Sequence, residues 1–179
     1  MNEIRNMIEI TGATGAITDV DQFLEELAEF AQQNHLIIQA FDAGAIYGKT
    51  HLLSAVNHAR RAMERKANTT NTLAMEILLY ASGERQLKLA IPKVGVKSGQ
   101  GTIAFVLIDA EKRKTKETFD ALIDELLQQF SLKRDDAVLD GTMHTLKVFG
   151  IGTVELQTVT KAKYGDLILE KVAMVDIIK

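Results

Sequence analysis

A chain of 179 residues, 46% hydrophobic and 25% charged, has the size and balance of one ordinary globular domain able to bury roughly 70% of its unfolded surface, which excludes disordered and fibrous classes. It contains no cysteine, which excludes disulfides, thiolate metal sites, iron–sulfur clusters and a cysteine nucleophile, and which fits a reducing compartment. A net charge of -3 excludes a body that wraps nucleic acid over its whole surface but leaves room for a local basic patch.

In chain order, Ile4, Met7, Ile8 and Ile10 predict a strand, which Gly12 and Gly15 then punctuate as a turn. Asp19 or Asp21 caps a helix in which Phe23, Leu24, Leu27 and Phe30 recur at helical spacing against Glu25, Glu26 and Glu29. Leu36 to Phe41 reads as a strand. Thr50 precedes a long helix with Leu52, Val56, Ala59 and Met63 on one face and His58, Arg61 and Arg65 on the other. Leu73 to Ala81 is apolar apart from Glu76, too many-sided for a surface helix, and belongs at the centre of the fold, with Ser82 and Gly83 ending it. Leu87, Ala90 and Ile91 predict a short helix that Pro92, the single proline, stops or kinks. Thr102 to Ile108 is the strongest strand, apolar on both faces and so central in its sheet. Phe119, Leu122, Ile123, Leu126, Leu127 and Phe130 mark an amphipathic helix, Asp135 to Phe149 fits no single element, and Tyr164 to Ile178 is a final helix.

No linker, repeat or composition shift divides the chain, so the expected fold is α/β of the mixed α+β kind. It is a single domain over residues 1–179 with a small central β-sheet flanked by several α-helices. The N-terminus lacks the order of a signal peptide and no apolar run approaches the ~20 residues of a bilayer span. The expected location is cytoplasmic.

Two glycine motifs raise an enzymatic alternative, a small nucleotide-binding enzyme. Gly12-Ala13-Thr14-Gly15 has a dinucleotide-type turn without its third glycine, and Thr18 stands where a small residue is needed. Gly44-Ala45-Ile46-Tyr47-Gly48-Lys49-Thr50 approximates a phosphate loop but is one residue short, with Ile46 and Tyr47 crowding it. A plain turn and a helix entry are the preferred readings of the two. No cofactor is expected: the four histidines show no metal-ligand spacing, and no nucleophile elbow or zinc-protease helix occurs. Glu76 reads as an ion-pair partner of Arg85 or Arg60 rather than a general base.

Arg60, Arg61, Arg65 and Lys66 gather at one helix end, followed by the polar turn Asn68-Thr69-Thr70-Asn71, with Arg85 and Lys88 on the next helix. Such charges suit phosphates while Asn71 and Arg85 reach or stack on bases, although from the charge alone a solvated helix end favoured by the helix dipole is the preferred reading. Lys112-Arg113-Lys114 with Lys116 reads as an exposed loop. In the last helix, Leu167, Ile168, Leu169, Val172, Ala173, Met174, Val175, Ile177 and Ile178 cover most of the circumference. It is either buried wholly in this chain or covered by a partner on one face, for which Ile168, Val172 and Val175 share the right spacing.

The segment His51-Leu52-Leu53-Ser54-Ala55, then Thr72-Leu73-Ala74-Met75-Glu76-Ile77-Leu78-Leu79-Tyr80-Ala81-Ser82-Gly83-Glu84-Arg85-Gln86-Leu87, continuing through Ala90, Lys93, Val94 and Gly95, closely resembles the kinase-binding regulatory subunit of KEOPS, the family that includes eukaryotic TPRKB. Residues before Leu36 and between Lys112 and Tyr164 carry little of the resemblance, and Pro92 departs from the uninterrupted helix expected there. It implies a noncatalytic subunit, archaeal in style, of the complex that makes threonylcarbamoyladenosine in tRNA. The implied partners are the small atypical kinase of that complex, bound directly, the tRNA 3′ end, and other KEOPS subunits indirectly. With the resemblance added, Arg60, Arg61, Arg65, Lys66, Asn71, Arg85 and Lys88 are candidate tRNA contacts, and Ile168, Val172 and Val175 candidate kinase contacts.

Overall fold

The computed structural model describes residues 7–178, so the predicted strand residue Ile4 lies outside the described residues. Four strands form one antiparallel sheet: β1 (Ile8–Ile17), β2 (Leu36–Asp42), β3 (Gly99–Asp109) and the two-residue β4 (Lys133–Arg134), in the order β2-β3-β1-β4. β3 is central, as its two-faced apolar pattern predicts. Ile103, Phe105 and Leu107 pack on one side with α1 (Val20–Gln33) and α5 (Lys116–Gln129). Ala104, Val106 and Ile108 pack on the other with α2 (Gly48–Glu64), α3 (Leu73–Ser82) and α8 (Tyr164–Ile178). The molecule is therefore a single domain, a small sheet between two helical layers.

Local signals explain most boundaries. Asp19 caps α1 by accepting from the Gln22 amide at 2.9 Å, and Thr115 caps α5. Gly83, at φ 69°, ends α3 in the left-handed conformation that glycine adopts without a Cβ clash. α3 is buried from Glu76 to Ser82, the central position its uniform hydrophobicity demands.

Two expectations are corrected and an open one is resolved. The predicted turn at Gly12 and Gly15 is strand interior. A Cβ at Gly12 would lie 2.5 Å from the Asp135 carbonyl oxygen and one at Gly15 would meet Leu132, so these glycines admit the close approach of the 132–139 segment rather than a turn. α4 (Leu87–Val94) runs through Pro92 instead of stopping at it. The carbonyl deprived of a donor is that of Lys88, on an exposed residue where water can serve it, and Gly95 closes the helix by donating to Ile91 at 2.8 Å. The segment from Asp135 to Phe149, which fits no single element, resolves into a 3-10 turn (Asp136–Leu139) and α6 (Met143–Val148), with β4 before it and α7 (Thr153–Gln157) beyond it, each too short for a readable period.

Candidate functional site

The two glycine motifs that suggested nucleotide binding are both occupied by this chain's own groups. Asp136 accepts from the Gly12 amide at 2.9 Å, from the Thr11 hydroxyl at 3.0 Å and from Lys49 Nζ at 3.0 Å. Burial pushes its carboxyl up, but these donors outweigh that and hold its pKa below the usual range. In the second motif the Gly44 amide donates to Asp42 and the Tyr47 amide to His51 Nδ1, both at 3.0 Å, while Ile46 is fully buried. The Tyr47 ring sits against Gly141, where a Cβ would overlap it. The Gly12, Gly44 and Tyr47 amides and the Lys49 ammonium are already committed within the chain, which weighs against the enzymatic alternative.

The basic turn is built. α2 ends in a Schellman arrangement: Ala67 N donates to Ala62 O at 2.8 Å, and Lys66 N donates to Met63 O at 3.1 Å. Lys66 occupies the left-handed position at φ 55°, where a non-glycine residue costs about 1 kcal/mol. The chain then folds over Glu76, which is wholly buried. Its carboxylate accepts from the Thr69 amide at 3.1 Å, the Thr70 amide at 2.9 Å and the Thr70 hydroxyl at 2.8 Å. Asn68 Nδ2 reaches Thr70 O at 2.8 Å and Thr72 caps α3 through the Met75 amide. The acid expected to pair with Arg85 or Arg60 thus anchors the turn. Arg85 instead donates to Ile178 O at 3.3 Å.

The side chains of Arg61, Arg65, Lys66 and Lys88 are exposed and make no hydrogen bond or ion pair among the described residues, and Asn71 is exposed on the turn. Arg60 departs from this set. It is half-buried, its Nη2 is enclosed without a hydrogen-bond partner, and burial lowers its pKa from the ordinary guanidinium value. The C-terminal turn of α8 links the two ends of the basic region. Asp176 accepts from the Tyr80 hydroxyl and pairs with His58 Nδ1 at 2.7 Å, His58 stacks on Tyr80 at 5.5 Å, and Arg61 lies within the electrostatic reach of both Asp176 and Tyr80. Two residues further on is Ile178, the carbonyl that holds Arg85. Burial raises the Tyr80 pKa, reinforced by Asp176, so the phenol remains a donor. Sequence reasoning missed this Tyr80–Asp176–His58 cluster because its members are up to 118 residues apart.

Lys112 and Arg113 are exposed on a loop, as expected; that loop is organised by Asp109, which accepts from the amides of Glu111, Arg113 and Lys114. Lys116, by contrast, is tied to Glu9 and Asp120.

The kinase candidates require a correction. Ile168, Val172 and Val175 are all 0% exposed, facing α2 and the rest of the core, because the apolar residues that repeat at three and four spacings are the ones a helix turns inward. The helix nevertheless keeps apolar surface outside: Met174 is 41% exposed, Ile177 74% and Ile178 39%. These three share the opposite face.

A family model described as kinase binding protein CGI-121 matches residues 16–176. A curated relative, "Regulatory protein Cgi121" of Methanocaldococcus jannaschii, is 28% identical over 145 residues, covering 80% of this chain and 86% of the relative. The match extends well beyond the middle of the chain, into segments where the resemblance was weak. Among the described residues no helix is long and apolar enough to cross a membrane, and no group of three or more histidine, aspartate or glutamate side chains is arranged to hold a metal ion.

Proposed function

We propose, from the premise that the chain belongs to the CGI-121 family of kinase binding proteins, that it is a noncatalytic regulatory subunit of KEOPS. In this reading it binds the small atypical kinase of that complex and recruits tRNA by its single-stranded 3′ end for threonylcarbamoyladenosine formation. The observation that carries the tRNA half is the row of exposed cations Arg61, Arg65 and Lys66, none held in an ion pair among the described residues although Arg61 lies near Asp176, beside a polar turn held rigid by Glu76. Cations already neutralised by neighbouring carboxylates gain little from a phosphate; unpaired ones release counterions on binding. Asn71 on the turn and Arg85 beside the end of α8 carry groups suited to unstacked bases, and Lys88 adds a further exposed cation. Arg60 supports α2 from a half-buried position rather than meeting phosphate.

The kinase half rests on α8. Its inner face is satisfied by this domain, so a partner meets the outer face of Met174, Ile177 and Ile178. The tRNA reading is tested by electrophoretic mobility or anisotropy with intact tRNA and with tRNA trimmed of its 3′ tail. The trimmed form is expected to bind much more weakly, and Arg61→Glu with Arg65→Glu to weaken the intact form. Equal binding of both tRNAs defeats the proposed mode.

A further inference from the structure

The register of the sheet leaves one strand edge open inside an apolar groove. His35 O accepts from Ala110 N at 3.2 Å, so in the β2–β3 ladder Ile37, Gln39 and Phe41 face β3 while the amides and carbonyls of Ile38 and Ala40 point away from it. Among the described residues no backbone group or side chain meets the Ile38 or Ala40 amides. The Ala40 carbonyl is met only by the side chain of its neighbour, Gln39 Nε2, at 2.9 Å. That side-chain amide does what the N–H of an adjoining strand would do.

This edge forms the floor of a groove of about 440 Å³. Leu24, Leu27 and Ala28 of α1 make one wall, Met75 and Leu78 of α3 the other, and Ile91 with Val96 closes an end. Leu24 and Ile91 are 43% and 49% exposed, far more than core leucine and isoleucine side chains. Asp21 is the single charged residue of the lining and has no ion-pair partner among the described residues.

We propose that this groove takes an extended segment of a partner protein as an added strand on β2. Buried backbone donors without partners are rare because each costs free energy comparable to a lost hydrogen bond. An extended chain supplies the complementary carbonyls and amides at the strand repeat, whereas a helix presents none along its side. At about 3.3 Å per residue a segment of roughly four to five residues spans such a site. Apolar side chains at alternate positions fill the groove between Leu24 and Met75, and a basic residue at one end meets Asp21. This surface is separate from the basic turn and from the outer face of α8, so it goes beyond the function proposed above.

The probe is a blocked hexapeptide of alternating valine and threonine with lysine at its amino end, titrated into the ¹⁵N-labelled full chain. Two further versions carry N-methyl groups on one or the other alternate set of amides. Shifts are expected at the Ile38 and Ala40 amides. One methylated set, the one facing β2, is expected to weaken binding about tenfold or more, and the other to leave it unchanged, because only one set can pair with an edge. Met75→Glu and Leu24→Glu, each checked for an unaltered melting curve, are expected to abolish the shifts. The Arg61→Glu, Arg65→Glu protein is expected to retain them, which separates this site from the tRNA reading. Absence of shifts at millimolar peptide, or equal binding of both methylated versions, overturns the proposal. So does perturbation of the same amides by a single-stranded oligoribonucleotide but not by peptide, which would make the groove a base site.

Discussion

Nδ1 of His51 accepts the Tyr47 amide, which places the ring proton on Nε2, where it donates to Ala81 O at 2.8 Å. Burial is the main cause that brings its pKa down from 6.5 to about 4, with Lys93 adding to it and the Ala81 bond opposing. The unfolded chain therefore takes up this proton before the folded one does. The contribution to stability is complete above pH 6.5 and is lost as pH falls toward 4, amounting to about 3 kcal/mol by linkage. Urea titrations across that window should show a steeper fall for the native protein than for His51→Gln, and parallel curves would place the ring in water. Glu76 makes a prediction of a different kind. Glu76→Ala leaves the Thr69 and Thr70 amides and the Thr70 hydroxyl without the acceptor they have, and should cost about 2 kcal/mol. Faster amide exchange at residues 69 and 70, with weaker tRNA binding, is the expected signature; unchanged exchange would show that the turn orders itself.

At the scale of elements, α8 carries a packed inner face and an exposed apolar face within 15 residues. Val172→Glu buries a charge against α2 and should unfold the domain or lower its melting temperature severely. Ile177→Glu and Met174→Glu place a charge where water already is, and should leave the melting curve within the usual scatter for surface changes while abolishing kinase pull-down. Normal kinase binding by a folded Ile177→Glu protein moves the contact off this helix. α2 shows the same division: Leu52, Val56 and Ala59 face the core, while Arg61 and Arg65 project from its last turns. His58 lies between these two sets, tied to Asp176.

At the scale of the molecule, the 132–139 segment closes the outer edge of β1, and Asp136 is its main polar link through Thr11, Gly12 and Lys49. Asp136→Ala should destabilise the fold by about 2 kcal/mol, because the Thr11 and Gly12 donors are enclosed. Lys49→Ala should cost well under 1 kcal/mol, since that pair is solvent-exposed. Chemical denaturation of both variants checks the pair, and similar losses from each would show that the salt link dominates. At the other side of the sheet, β2 has no such closure, which is why the two edges behave differently.

The sequence by itself determined the elements whose signal is local and periodic: α1, α2, α5, α8, the central position of β3, an aspartate cap on α1 at Asp19 or Asp21, and the end of α3 at Gly83. Such features depend on neighbours within a few residues, so the pattern carries them directly. It also determined the family through the run from His51 to Gly95, and the basic end of α2. Only the tertiary structure decided which face of α8 is turned inward, since a helix apolar around most of its circumference carries no preference until α2 and α3 are in place. It decided too that Gly12 and Gly15 serve close packing, that one carboxylate answers both glycine motifs, and that Glu76 holds the turn at Thr69 and Thr70. Those outcomes join residues far apart in the chain, Thr11 with Asp136 and His58 with Asp176. Long-range pairing of that kind is set by the global packing of layers, which leaves no period in the sequence to read.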